Sequence, residues 1–247
     1  LGLVAANGAQ GAVNVLSDNF DSYVSGTNLS GQGGWTATLA AATPIQVAGT
    51  GNLYAQLGLS GQDEYKALST VVNHNDGDSI ETSFKVNVAS ATATGDYFLH
   101  LSNPAGTTTN FYQRIFAKSS DVGYVLGLVD TSGTGTLPTF GTSVLGFNTS
   151  HTVDVLWNFV AGSTNNDTFV MLVDGAPYLT HTWTSATVEP TAIAAVNLRQ
   201  GGGTTSASVQ VDDINVSSIA AAPEPATMGV VAAALGALCL GRRSRRE

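Results

Sequence analysis

Ile80-Glu81-Thr82-Ser83-Phe84-Lys85-Val86-Asn87-Val88 alternates apolar and polar side chains almost without a break. Ile80, Phe84, Val86 and Val88 fall on one side of an extended chain; Glu81, Ser83, Lys85 and Asn87 fall on the other. A period of two predicts a strand with one dry face. Val153, Val155, Trp157 and Phe159 repeat the pattern, and so do Phe169, Met171 and Val173. The polar stretch from Gly162 to Asp167 separates these two and predicts a hairpin loop. Working outward, the same reasoning places strands at 13–20, 44–48, 53–57, 66–72, 96–102, 111–118, 122–129, 178–183, 191–199 and 207–216. Gly201-Gly202-Gly203 reads as a turn between strands. Helical periodicity is absent from this body. Many short strands with turn signals every dozen or so residues predict an all-β sandwich or barrel, here a single domain over 13–216.

The chain has 247 residues and a formal net charge of −9. Four of the nine basic residues and two of the eighteen acids lie beyond residue 216. The body therefore holds five cations (Lys66, Lys85, Arg114, Lys118 and Arg199) against sixteen acids, a net −11. Such a surface repels phosphate backbones and argues against nucleic acid as a partner. The single cysteine, Cys239, lies outside the body, which therefore forms no internal disulfide. Burial, hydrogen bonding or a bound metal must hold it, and its size allows a core without help.

Asp212-Asp213 is the most informative pair of titratable residues. Val209 and Val211 share one parity, whereas Ile214 and Val216 share the other. The phase slip predicts a β-bulge, a device that re-aims side chains. With Asp18 and Asp21 on a neighbouring strand, these acids form a candidate calcium set, since calcium takes six to eight oxygens. The alternative leaves both acids solvated at the bulge. The stretch Asn73-His74-Asn75-Asp76-Gly77-Asp78 reads as a turn. Tyr112, Tyr124, Phe140, Tyr178 and Trp183 are candidates for a sugar platform, and the segment 131–150 for a binding loop. There is no Gly-x-Ser-x-Gly elbow and no phosphate loop. The four histidines show no metal-ligand spacing. No catalytic residue is expected on these grounds.

The two ends point to export. Residues 1–12 have an apolar piece followed by small residues, as at the end of a signal peptide. After a linker at 217–225 comes an uncharged apolar run, 226–241, that predicts a short membrane helix. Arg242, Arg243, Arg245 and Arg246 in the tail 242–247 provide a cytoplasmic stop-transfer cluster. With Pro223-Glu224-Pro225 ahead of the helix, this tail resembles the PEP-CTERM sorting signal of Gram-negative bacteria. The resemblance implies recognition of the tripeptide by exosortase, transient anchoring in the inner membrane, and delivery to the cell surface or extracellular matrix.

The body carries looser motifs in a telling order. Asp18-Asn19-Phe20-Asp21 and Gly33-Gly34-Trp35 come early, Val173-Asp174-Gly175 forms a strand-turn, and Val209 to Val216 is a final strand. Together they resemble the laminin-G-like, concanavalin-A-like jelly roll. That resemblance implies neighbouring first and last strands, a Val-Asp-Gly hairpin in mid-sheet, and glycan or protein ligands. The glucanases of similar fold use an alternating acid run, Glu-x-Asp-x-x-Glu or close to it, which this chain lacks. The sequence thus predicts an exported, non-catalytic module that contacts exopolysaccharide. A glycan-active hydrolase or lyase, or a purely structural surface protein, is the alternative.

Overall fold

The computed structural model describes residues 11–38, 43–107, 109–131, 137–160, 166–183, 189–201 and 207–221. In chain order the strands are β1 (Val13–Asp18), β2 (Trp35–Ala37), β3 (Gln46–Thr50), β4 (Asn52–Leu57), β5 (Asp63–Asn73), β6 (Ser79–Ser90), β7 (Asp96–Ser102) and β8 (Phe111–Ser120). There follow β9 (Gly123–Thr131), β10 (Thr139–Phe140), β11 (Ser150–Asn158), β12 (Thr168–Val173), β13 (Ala176–Thr182), β14 (Ala192–Arg199) and β15 (Ser208–Ile219). All fifteen pair antiparallel, in two sheets.

An eight-stranded sheet runs β13-β12-β11-β6-β15-β4-β3, with β1 also paired to β15; a seven-stranded sheet runs β10-β9-β8-β7-β14-β5-β2. The all-β sandwich predicted from sequence is what the chain forms. No helix occurs among the described residues, so none there is long and apolar enough to cross a membrane. Residues 1–10 of the expected signal-peptide remnant at 1–12, and the expected sorting motif, apolar run and arginines within 222–247, lie outside the described residues. So do 161–165 of the β11–β12 loop, 202–206 of the glycine-rich turn, and 132–136 of the expected binding loop.

The dry faces meet as their periodicity requires. Ile80, Phe84, Val86 and Val88 are buried, and Phe84 meets Phe98 of the other sheet edge to face at 6.0 Å. Trp157 packs on Phe169 at 5.0 Å and on Trp183 at 5.8 Å. Two buried carboxylates tie indoles into the core. Asp18 accepts from Trp35 Nε1 at 2.7 Å, and Asp167 accepts from Trp157 Nε1 at 2.7 Å. Gly33 has φ 52, and a Cβ there would collide with the Tyr23 hydroxyl, so the first of the two glycines before Trp35 is required by space and by backbone.

Some details depart from expectation. β2 and β10, three and two residues long, are too short to carry a readable period. β15 continues to Ile219, because Ser217 and Ser218 pair with β1 on one side and β6 on the other; the linker therefore does not start at 217. The Asp174-Gly175 turn has φ 51 and 75, the signs of a type I′ hairpin, but β13 is an edge strand, so this hairpin is not in mid-sheet. First and last strands do pair, from Val13↔Ser218 to Asp18↔Ile214.

Candidate functional site

Each sheet has an outer face, and the two differ in chemistry. In β7, Leu99 and Leu101 enter the core while His100 and Ser102 turn outward. In β14, Val196 and Leu198 enter the core while Asn197 and Arg199 turn outward. Asn197 sits opposite His100 and donates to Ser102 Oγ at 2.7 Å. β8 needs an irregularity to join them. Between Tyr112 and Ile115, both in the core, it holds one residue more than the facing Leu101–Leu99 of β7. Gln113, at φ 49, takes up the extra residue and turns inward. It accepts from Thr82 Oγ1 at 3.0 Å and donates to the Val155 carbonyl at 3.2 Å. Arg114, Phe116 and Lys118 are thereby set on the outer face, beside Tyr97, Phe111 and, across β14, Tyr65.

These groups form a stack. The Arg114 guanidinium lies 3.9 Å from the Tyr97 ring centre, and that of Arg199 lies 4.5 Å from Phe111. The His100 ring is 4.3 Å from Phe111 and 6.1 Å from Tyr97. Lys118 Nζ is 5.0 Å from Phe140, the one member of the expected sugar platform on this face. Arg199 Nη1 is 3.0 Å from Asp63 Oδ2, an ion pair whose angles fall outside hydrogen-bond geometry. Arg114 has no ion-pair partner among the described residues, and its Nε has no hydrogen-bond acceptor. His100 is fully buried, and neither ring nitrogen has a partner. Burial, reinforced by the charges of Arg114 and Arg199, holds its pKa well below 6.5, so the imidazole is neutral near pH 7. Burial also disfavours the charge on Arg114, which an incoming anion would relieve.

The charge distribution sets this face apart. Of the five body cations, Lys66 is held by Asp18 at 2.7 Å and Lys85 by Asp213 at 2.6 Å. The other three, Arg114, Lys118 and Arg199, all lie here. Guanidiniums, a neutral imidazole, a phenol and an amide in one patch can bind a carboxylate, stack on a sugar ring and move a proton.

Of the expected calcium set, Asp21 and Asp213 lie near enough to Asp212 to act on its charge, and each of the four carboxylates also has protein partners. Asp18 accepts from the Phe20 amide (3.0 Å), Tyr23 (2.6 Å), Trp35 (2.7 Å) and Lys66 (2.7 Å), and so is fully engaged in the fold. Asp21 accepts from the Leu53 amide at 3.0 Å. Asp212 accepts from Asn52 at 2.8 Å and from the Asp213 amide at 2.7 Å. The bulge itself is present, with Asp213 at φ 48 and a register shift between Asp212 and Asn215. Among the described residues, the group whose ligand atoms all lie within 4.8 Å of one another is His74, Asp167 and Glu189, which no spacing in the sequence announced. Its carboxylates also accept hydrogen bonds from the protein. Asp167 takes His74 Nε2 (2.7 Å), Trp157 Nε1 (2.7 Å) and the Val160 amide (2.9 Å), and Glu189 takes the amides of Asn166 (2.8 Å) and Asp167 (3.2 Å).

Four of the five aromatics expected to form a platform do not. Tyr112, Tyr124 and Trp183 are core residues, and Tyr178 packs against the core while its hydroxyl accepts from the Leu126 amide at 2.9 Å. The pattern does not single out the aromatics that do line the face (Tyr65, Tyr97, Phe111 and Phe116), nor His100, Arg114 and Arg199. The available signal is parity: His100, Asn197 and Arg199 alternate with core leucines and valines, and four of the five body cations lie on strands of one sheet, three of them on its outer face.

No family model matches the chain, and no curated protein matches it in sequence. Solved structures do resemble it. The endo-β-1,4-glucuronan lyase of the fungus Trichoderma reesei superposes with a TM-score of 0.50 at 11% identity, over 83% of this chain and 95% of that one. The alginate lyase Aly36B gives 0.54 at 14% identity, over 85% and 98%. The CBM2 module of an evolved Dit protein from Lactobacillus casei BL23 phage J-1 gives 0.52 at 13%, over 85% and 97%. At these identities the likeness is one of fold. It corrects one expectation all the same. Strands without a glucanase acid run predict a non-catalytic body, yet the solved structures of similar fold include a glucuronan lyase and an alginate lyase.

Proposed function

We propose that this protein acts on an acidic, uronate-bearing polysaccharide laid across the outer face of the seven-stranded sheet. One observation carries the reading: a body of net charge −11 gathers three of its five cations there. Asp63 beside Arg199 and Asp96 near Arg114 offset part of that charge, and what remains makes this face less repulsive to a polyanion than the rest of the surface. Arg114 and Arg199 are the carboxylate partners, and Tyr97, Phe111 and Phe116 supply flat contact for the sugar rings. Glucuronan and alginate, named for two proteins of similar fold, are polymers of this class.

The reaction this set of groups suits is eliminative cleavage. Guanidinium contact with the uronate carboxylate makes the neighbouring C5 proton more acidic. Neutral His100 accepts that proton, and the electron pair forms the C4–C5 double bond. The C4–O4 bond breaks, and the Tyr97 hydroxyl protonates the departing oxygen. His100 lies on the floor beneath Phe111 and Tyr97, so substrate must turn one of these rings aside to reach it.

The test is incubation of the purified chain with alginate, polyglucuronate and polygalacturonate. Ultraviolet absorbance of unsaturated ends reports cleavage, and retardation in polymer-loaded gels reports binding. At least one polymer is expected to respond, with Arg114→Ala and Arg199→Ala each lowering the response about tenfold or more. Absence of any response, or indifference to both variants, sinks the reading. Retardation without new absorbance leaves recognition standing and removes the elimination step.

The jelly-roll assignment and export belong to the same proposal. The Pro223-Glu224-Pro225 motif, the apolar run 226–241 and the arginines beyond it support sorting by exosortase from the inner membrane to the surface or matrix. A chain ending at Ala221 is expected to leave the membrane fraction; if it stays there, the sorting reading fails.

A further inference from the structure

The opposite side of the sandwich carries a recess of different chemistry. On the outer face of the eight-stranded sheet, Asn52 and Tyr54 of β4, Lys85 and Asn87 of β6, and Gln210 and Asp212 of β15 line a hollow of about 360 Å³. That is within the size class of small-ligand sites, which begins at roughly 300 Å³. Its origin lies in how β15 shares its edge. β4 pairs with Val209–Val211, β1 pairs with Ile214–Ser218, and the changeover falls at Asp212-Asp213. There β15 holds one residue more than the facing Lys85–Ser83 of β6. Asp213 takes the extra place at φ 48, a left-handed conformation that aspartate tolerates better than most residues with a Cβ.

The bulge turns two consecutive carboxylates to the same face and gives each a separate role. Asp213 Oδ2 holds Lys85 Nζ at 2.6 Å and cancels its charge. Asp212 is braced by Asn52 Nδ2 at 2.8 Å and by the Asp213 amide at 2.7 Å, leaving one lone pair on each oxygen. The side chains of Asn87 and Gln210 and the Tyr54 hydroxyl have no hydrogen-bond partner among the described residues. The recess therefore offers a fixed carboxylate, free amides, one aromatic ring, and a net charge of one negative.

We propose that this recess is a second carbohydrate site, specific for neutral pyranosides. A carboxylate beside planar amides spans vicinal hydroxyls, and the Tyr54 ring receives the apolar face of the sugar. The uncompensated Asp212 charge repels uronates, so this site and the cationic face opposite take different polymers. The inference goes beyond the acidic-polysaccharide reading and does not depend on it.

Saturation-transfer NMR on the full chain with cellotetraose, xylotetraose and mannotetraose tests it. At least one is expected to give saturable binding. Asn87→Ala and Gln210→Ala are each expected to weaken it about fivefold, as loss of one hydrogen bond does. Arg114→Ala and Arg199→Ala are expected to leave it unchanged. Thermal melts of the variants show that each is folded. The proposal is overturned if none of the three binds, if the Asn87→Ala, Gln210→Ala double variant binds at full strength, or if the arginine variants abolish the signal.

Discussion

Glu64 bears a carboxyl that is 1% exposed. Its Oε1 accepts from the Ile45 amide at 3.0 Å, and its Oε2 has no partner. Burial raises its pKa from 4.5 to about 7, although the amides of Ile45 and Ser30 pull the other way. In the unfolded chain the group ionises near 4.5, so between there and about 7 the folded state holds a proton that the unfolded state has released. Stability from this residue is therefore greatest below pH 4.5 and falls as pH rises towards 7. Glu64→Gln keeps the acceptor and removes the ionisation. It is expected to stabilise by about 1–2 kcal/mol at pH 8, after allowance for solvent screening, and by little at pH 4. Melting temperatures of both proteins across that range check it; a gain that is equal at both ends rules out the carboxyl as the cause.

At the scale of elements, the β12–β13 hairpin isolates one backbone effect. Gly175 has φ 75 and nothing within 4 Å of where a Cβ would stand. Gly175→Ala is thus expected to cost about 1 kcal/mol from conformation alone, and Gly175→Asn less, because asparagine tolerates left-handed backbone. Denaturant unfolding of the three proteins tests the order; an alanine variant as stable as the parent contradicts the turn geometry. This turn is legible in the sequence because Asp-Gly between alternating runs specifies it locally. So is the Asp212-Asp213 bulge, because the valines on either side keep the core phase and reveal the slip. The bulge at Gln113 is not legible. Its inward amide is a polar residue at a core position, and only Thr82 and the Val155 carbonyl, distant in sequence, make that position tolerable. Without that slip the outward row of Arg114, Phe116 and Lys118 stays hidden. Period two shows which residues alternate with the core, but not which strands lie side by side. The gathering of β7, β8 and β14 residues into one cationic face is therefore out of reach of the pattern.

The whole sandwich is closed by its first and last strands. β1 lies on β15 from Val13↔Ser218 to Asp18↔Ile214, and Asp18 at the end of β1 serves Trp35, Tyr23 and Lys66 together. Every strand that builds the two sheets lies between Val13 and Ile219. The sandwich should therefore be indifferent to the residues beyond Ala221 and intolerant of losing β1. A chain of 11–221 is expected to melt within about 2 °C of the full protein. A chain beginning at Asn19 loses one flank of β15 and leaves the Lys66 ammonium and two aromatic donors without their acceptor. Breaking a buried ion pair costs about 3–5 kcal/mol, and at about 2–4 °C per kcal/mol for a domain of this size the melting temperature should fall by roughly 10 °C or more. Asp18→Asn separates the two contributions. It keeps the strand, removes the charge, and should give an intermediate loss. If the chain beginning at Asn19 melts like the parent, the terminal strands are an accessory rather than the closure of the fold.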